Sequence, residues 1–126
     1  MWKKIQTTGD RPTHGRYGHS ACAFKDSIIY FGGECNFNQD LKYRETLGDV
    51  RSLSLNRGEW RYHTFSGTNC TARHHHAAVI QERNMYVYGG ISNEGSFLSD
   101  LWCLNLSNSF DDFLAHYYRD VYMDTM

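Results

Sequence analysis

The amino-acid sequence repeats itself, and this constrains its fold more than any other feature does. Four landmarks recur 57 positions further along the chain, in the same order. The matched pairs are Arg16 and Arg73, His19 and His76, Gly32 and Gly89, and Gly33 and Gly90. Two more pairs keep that order at slightly different spacings, namely Asp49 and Asp100, and Trp2 and Trp60. Such a chain is built from copies of one structural unit that bury their faces against each other.

Each repeat reads as a set of short strands separated by turns. Residues 17–24 alternate between two faces, and residues 27–33 form an apolar run that two glycines close. Residues 50–55 and 59–65 alternate again. Period-two patterning over four to eight residues indicates strands, and the 15% aromatic content suits them. Four strands per repeat predict an antiparallel meander, the blade of a propeller.

The repeated residues carry a resemblance to a known family. An Arg-x-x-His before an apolar strand, a double glycine after it, a later Asp and a closing Trp resemble the kelch repeat, and the match covers residues 2–106. The resemblance implies an all-β fold, a partial kelch-type β-propeller of about two four-stranded antiparallel blades. We assign residues 1–106 to the kelch region, with repeat one at about 16–66 and repeat two at about 73–106. A lone strand is expected at 2–8.

The last twenty positions, residues 107–126, depart from the kelch pattern and predict a short C-terminal amphipathic helix. Their apolar residues follow helical spacing. These residues are Phe110, Phe113, Leu114, Tyr117, Tyr118, Val121 and Tyr122. The tail could cover an exposed blade, bind a partner, or be incidental sequence after a premature end. The first reading is favoured, because an uncovered strand would leave an exposed edge.

Two repeats cannot close a ring, since propellers hold about four to eight blades. Residues 2–6 resemble the last strand of a blade whose other strands are absent, and no closing Trp strand follows Leu106. The sequence therefore suggests a fragment, a truncated gene product, or one part of a ring assembled from several chains. Self-association that completes the propeller is accordingly one expected form of partnership.

Two motifs invite a chemical interpretation. The run His74-His75-His76 would place His74 and His76 on one face of a strand, where zinc or copper could use them. Because His19 occupies the matching place without histidine neighbours, a structural role is favoured and no metal site is expected. The glycine pairs could cradle phosphate, but that use needs a following helix, and loop and strand follow instead.

The repeated charges favour structure over catalysis. Arg16 and Arg73 are expected to orient neighbouring segments, and Asp49 and Asp100 recur too regularly to be a general acid and base. We therefore predict no catalytic residue, no cofactor and no enzyme activity. The alternative is a fragment of a kelch-type propeller enzyme, an oxidase or a sugar-modifying enzyme, whose active site would need residues from more blades.

The repeats differ most in the loop between their second and third strands. That loop and the loop between blades emerge on one face, which holds residues 34–48, 66–72 and 91–99. Loops on a rigid scaffold concentrate binding residues, and Tyr and Arg are enriched at interface hot spots. The candidate partner-binding residues are Phe37, Lys42, Tyr43, Arg44 and Phe97. The alternative is a merely solvated loop.

The resemblance implies a protein-protein interaction module, working as a substrate adaptor or a scaffold. A non-functional remnant is the remaining alternative. The net charge of −1 does not indicate the basic surface that nucleic-acid binding requires. No apolar run approaches the length of a membrane span. The first residues lack a secretory signal, which predicts a cytoplasmic protein with its four cysteines as free thiols.

Overall fold

The computed structural model of the protein describes three stretches of the chain, residues 1–12, 14–38 and 43–106, and only the backbone of Phe37, Asn38 and Tyr43. The helix predicted at 107–126 lies outside them. Every regular element in these stretches is a β-strand. The strands are β1 (Thr8–Gly9), β2 (Ser20–Phe24), β3 (Ser27–Phe31), β4 (Glu34–Asn38), β5 (Tyr43–Thr46), β6 (Val50–Ser54), β7 (Glu59–His63), β8 (Ala77–Gln81), β9 (Asn84–Tyr88) and β10 (Leu101–Asn105). The described residues include no helix long and apolar enough to cross a membrane.

The first repeat forms a four-stranded antiparallel meander, which we call blade one. Strands β2, β3, β6 and β7 lie side by side in that order, so each strand pairs with the next one of the repeat. The short strand β1 adds to the outer edge, where Thr8 pairs in parallel with Glu59 of β7. The predicted all-β fold is confirmed for the described residues.

The second repeat forms blade two, whose strands β8, β9 and β10 pair in the same antiparallel order. The registers of the two blades match. In blade one Phe31 lies opposite Ser20 and Val50, and in blade two Tyr88 lies opposite Ala77 and Leu101. A fourth strand of blade two would follow Leu106, outside the described residues.

The core lies between the two blades. Blade one contributes Ile29, Phe31 and Val50 from one face, and blade two contributes Met85 and Val87 from the opposite-facing side of its sheet. Ile29 and Met85 are almost fully buried. Because side chains alternate along a strand, the neighbouring residues of each strand point to the other face, away from this core.

The segment 34–48, predicted as a loop, is largely a two-stranded hairpin. Strand β4 pairs antiparallel with β5, and the register shifts between Asn36 and Asn38. The hairpin begins where Glu34 exchanges backbone hydrogen bonds with Tyr17, 3.0 and 2.8 Å long. The extra residues of the first repeat therefore extend as paired strands, which satisfies backbone groups that a loop would leave to water.

The lone strand predicted at 2–8 is wrong in its extent. Strand pairing begins only at Thr8 and ends at Gly9. The side chains of Trp2 and Ile5 are 101% and 63% exposed, and residues 2–7 form no ladder with any described strand. A strand is stabilised where another strand pairs with it, and among the described residues these positions meet none.

We expect Ile29→Ala to destabilise the protein by about 2–5 kcal/mol, because Ile29 is 0% exposed at the centre of the core between the blades. Urea unfolding followed by tryptophan fluorescence measures the change. Val79→Ala is the matched control, since Val79 is 59% exposed on blade two and its truncation leaves no cavity. Equal unfolding midpoints for the two variants would contradict the placement of the core.

Candidate partner-binding face

The arginine of the first repeat ties together the end of β3 and the start of β6. The Arg16 guanidinium donates to both carboxylate oxygens of Asp49, at 2.7 and 3.1 Å, and to the carbonyl of Gly32 at 3.1 Å. Arg51 donates to the same carboxylate at 2.7 Å. Burial alone would raise the pKa of Asp49, but the bonds from Arg16 and Arg51 outweigh it and hold that pKa below its usual range.

The second repeat reproduces this arrangement. The Arg73 guanidinium donates to both carboxylate oxygens of Asp100, at 2.8 and 3.0 Å, and to the carbonyl of Gly89 at 3.0 Å. Trp102 takes the place of Arg51 and donates its indole N–H to Asp100 at 2.6 Å. These bonds, that from Arg73 above all, hold the pKa of Asp100 far below its usual range. Each arginine thus fixes the loop between a glycine pair and an aspartate.

The backbone of Arg73 also joins the two blades. Its amide donates to the carbonyl of Leu47 at 3.1 Å, and its carbonyl accepts from the amide of Gly33 at 2.9 Å. A Cβ on Gly32 would lie 2.6 Å from the Arg73 carbonyl oxygen, so only glycine permits this approach. Gly32 also has a φ of 70°, in the region that favours glycine. The glycine pair is therefore a contact between blades.

The structure separates two of the three consecutive histidines. His75 has a φ of 57°, which interrupts the strand geometry that would have placed His74 and His76 on one face. His76 Nε2 shares a 2.9 Å hydrogen bond with Ser20 of blade one, whereas His74 Nε2 lies 3.6 Å from Glu34. Within the described ranges no three His, Cys, Asp or Glu side chains could hold a metal ion together.

One buried histidine, one half-buried histidine and one half-buried thiol are held in their neutral forms. Burial, assisted by the Arg73 charge, lowers the pKa of His76 to about 4. Burial, assisted by the Arg61 charge, lowers the pKa of His63 to about 4, and its Nε2 lies 2.7 Å from the Ser52 hydroxyl. Burial raises the pKa of the Cys70 thiol to about 11. Neutral groups of this kind suit packing between blades better than proton transfer near pH 7.

The loops of the two repeats meet on one side of the blades. The amide of Thr46, at the end of the hairpin, donates to Asn93 Oδ1 of blade two at 3.1 Å. Beyond Asn93 the loop folds back on itself, since Ile91 bridges to both His74 and Phe97. The hairpin β4–β5 and the loop 91–99 form one continuous surface, which we call the loop face.

The predicted partner-binding residues fall on this face to different extents. The side chain of Phe97 is 87% exposed and that of Arg44 is exposed. Phe37 and Tyr43 belong to the hairpin strands, although only their backbone is described, and Lys42 lies outside the described residues. The structure therefore brings Arg44 and Phe97 to the surface of two adjoining loops.

Sequence reasoning missed the residues that hold this surface in place. Tyr17 is 43% exposed, and its ring meets the His75 ring edge-on at a centroid distance of 6.2 Å. Asn93 anchors the hairpin although 47 positions separate it from Thr46. Tyr17 could have been identified from the sequence, because it lies directly after the repeated Arg16. Nothing in the sequence around Asn93 indicates its partner.

Arg73→Lys should lower the free energy of unfolding by about 2 kcal/mol. A lysine keeps the charge but cannot reproduce the two-pronged bond to Asp100 together with the bond to Gly89, and the site is 0% exposed. Chemical denaturation measures the loss. Arg57→Lys is the control, because Arg57 meets Glu59 at 3.7 Å on the surface, where such pairs contribute little. A loss no larger than that of the control would count against a structural role for Arg73.

Stability should fall as the pH drops from about 6.5 to 4. The folded protein keeps His63 and His76 neutral down to about pH 4, whereas the unfolded chain protonates them near 6.5. The unfolded state therefore binds more protons in that window, at up to about 1.4 kcal/mol per pH unit for each histidine. Urea denaturation at several pH values measures the slope. His76→Gln should reduce the slope, and an unchanged slope in His76→Gln would refute the assignment.

Comparison with known proteins gives the family. The KLHDC2/KLHL20/DRC7 Kelch-repeats domain matches residues 1–111. Tip elongation aberrant protein 1 of Schizosaccharomyces pombe is 29% identical in a match that covers 86% of this chain and 9% of that protein. The leucine-zipper-like transcriptional regulator 1 homolog of Drosophila melanogaster is 31% identical in a match that covers 84% of this chain and 11% of that protein. The Rab9 effector protein with kelch motifs of Danio rerio is 30% identical in a match that covers 83% of this chain and 28% of that protein. The chain spans less than a third of the length of each. With both repeats inside the matched region, the chain belongs to the kelch-repeat family.

Proposed function

We propose that the protein binds its partner through the loop face and acts as a substrate adaptor or a scaffold. The observation that carries the proposal is the hydrogen bond between the Thr46 amide and Asn93, which joins the hairpin of blade one to the loop of blade two. A surface made of two fixed loops loses less conformational entropy on binding than two independent loops would.

The chemistry of the loop face suits a protein partner. Arg44 offers a planar cation with five donors, and Phe97 offers an apolar ring that is 87% exposed. Arg and aromatic side chains dominate the energy of many interfaces, particularly where neighbouring contacts exclude water. Tyr17, beside His75, adds an aromatic contact on the same side of the blades. We infer that the partner presents a carboxylate next to an apolar side chain.

The adaptor or scaffold role rests on the kelch resemblance and on the names of relatives. One relative is called a Rab9 effector protein with kelch motifs, which describes a protein that acts by binding another protein. No observation on the described residues favours the alternative of an enzyme fragment. Binding without chemistry is therefore the function that we propose for this chain.

The test compares the proteins that the chain captures with and without its loop-face contacts. Tagged protein is expressed in cells, proximity labelling marks its neighbours, and quantitative mass spectrometry identifies them. Arg44→Ala combined with Phe97→Ala should reduce the labelling of specific partners at least about tenfold, as expected for hot-spot residues. Both positions are exposed, so the fold should be unaffected.

Leu55→Ala is the matched control. Leu55 is 60% exposed at the turn between β6 and β7, away from the two loops, and its truncation removes a similar apolar area. The partners lost in the double variant should persist in this control. If the double variant and the control label the same proteins as the wild type, the loop face is not the binding surface.

A further inference from the structure

Blade two leaves an apolar groove along its last described strand. The groove, of about 430 Å³, lies between β10 and the segment that leads into blade two. Its lining includes Thr64, Phe65, Val87, Trp102 and Leu104. On its other side β10 pairs with β9, and in the described stretches no strand pairs with its outer edge. The groove and the edge together form a strand position that no described strand occupies.

Blade one shows what fills the same position. There the outer strand β7 pairs with β6, and Trp60 lies opposite Leu53. The Trp60 ring packs on Tyr30 at a centroid distance of 5.1 Å, and its indole N–H donates to Thr7 Oγ1 at 3.2 Å.

The three residues that contact Trp60 in these ways have counterparts in the groove. At the 57-residue spacing Thr7 corresponds to Thr64 and Tyr30 to Val87, and at the 51-residue spacing Leu53 corresponds to Leu104. Each counterpart lines the groove of blade two. The lining of the groove therefore matches the surroundings of Trp60, including the hydroxyl that accepts from the indole N–H.

One segment of the chain carries the matching strand. Trp2 lies 58 positions before Trp60, and no tryptophan follows Trp102. In this register Lys3 corresponds to Arg61 and Ile5 to His63. Trp2 and Ile5 are 101% and 63% exposed, and residues 2–7 have no strand partner in the described structure. The segment is available for pairing.

We propose that residues 2–6 of a second copy of this chain add to the edge of β10 as the fourth strand of blade two, with Trp2 in the groove. The register of β7 on β6 then places Trp2 opposite Leu104, Lys3 opposite Cys103, and Ile5 opposite Leu101. Strand addition of this kind gains backbone hydrogen bonds along the edge and a side-chain pocket that fixes the register.

Chain direction explains why the donor is another copy. Strand β7 belongs to blade one, yet the segment after it leads across to Arg73 and blade two. The fourth strand of a repeat therefore belongs to one blade, and the chain that follows it leads into the next blade. Residues 2–6 lead into blade one, so they belong to a blade on the side of blade one opposite blade two. Within a single chain, blade two lies on the wrong side to receive them.

The sheet faces agree with this arrangement. Tyr88 and Leu101 are 54% and 66% exposed on the outer face of blade two, although the corresponding Phe31 and Val50 of blade one are 2% and 8% exposed. Blade two covers Phe31 and Val50 within the chain. A second copy would cover Tyr88 and Leu101 with its own blade one. A ring of about four to eight blades would then take its blades from more than one copy.

The first test is the solution mass of the whole chain, measured by light scattering coupled to size exclusion. We expect a discrete species of more than one copy. Trp2→Ala should shift that species to one copy, and Leu55→Ala should leave it unchanged. Trp2 is fully exposed in the single chain, so its loss cannot be explained by unfolding of one molecule. A wild type that elutes as one copy over the whole concentration range overturns the proposal.

The second test fixes the register. Cys103 is a free, exposed thiol, and residues directly opposite on paired strands approach closely enough for a disulfide. Lys3→Cys should form a reducible bond between chains under mild oxidation, and Lys3→Cys combined with Cys103→Ser should not. A bond between positions 3 and 103 of the same chain, identified by peptide mapping of a one-copy band, overturns the proposal. The proposal is also overturned if residues 107–126 occupy the groove, because the protein would then remain one copy and form no disulfide between positions 3 and 103.

The two proposals fail separately. The strand addition uses β10 and residues 2–6, whereas the proposed function uses Arg44 and Phe97. A one-copy protein that loses its partners in Arg44→Ala combined with Phe97→Ala would overturn the assembly and keep the loop face. An oligomer whose partners are unaffected by that double variant would do the reverse.

Discussion

Arg73 is the residue on which the packing of the two blades depends. Its backbone is bonded to blade one, through Leu47 and Gly33, and its guanidinium is bonded to blade two, through Gly89 and Asp100. The side chain is fully buried, so its charge needs the bonds to Gly89 and Asp100. An ion pair contributes little net stability when desolvation of the buried partner offsets the attraction. Its effect here is to fix one geometry, since any shift of a blade would leave the guanidinium or a carbonyl unpaired.

The glycine pairs follow from the same constraint. The Arg73 carbonyl and the His76 ring approach Gly32 so closely that a Cβ would meet them at 2.6 and 2.9 Å. The Arg73 backbone can therefore approach blade one only because a glycine, which has no side chain, follows the end of β3. The histidine contributes a ring that stays neutral in this dry junction and packs edge-on against Phe31 at 5.1 Å.

The contact around Arg73 and Gly32 lies in the interior between the blades, so it is not accessible to a partner. The accessible parts are the loops in which the two repeats differ. The first repeat extends into the hairpin β4–β5, and the second has the shorter loop 91–99. Their meeting at Asn93 produces the loop face. The edge of β10 with which no described strand pairs is a different surface with different chemistry, namely backbone groups and an apolar groove. One surface suits side-chain recognition by a partner, and the other suits addition of a strand.

The sequence by itself determined the repeat, the strand pattern and the kelch family, because equal spacing and period-two alternation are local properties of the chain. It also indicated that Arg16 and Arg73 hold equivalent places. It did not predict that residues 34–48 pair as a hairpin, since that depends on where Tyr17 lies opposite Glu34. Nor did it predict that His75 leaves the strand conformation and separates His74 from His76. Only the tertiary structure decided which face of each blade is covered. Matching positions of the two blades look alike in the sequence, but packing buries them to different extents. Phe31 is buried because blade two packs against it, whereas the corresponding Tyr88 is exposed among the described residues.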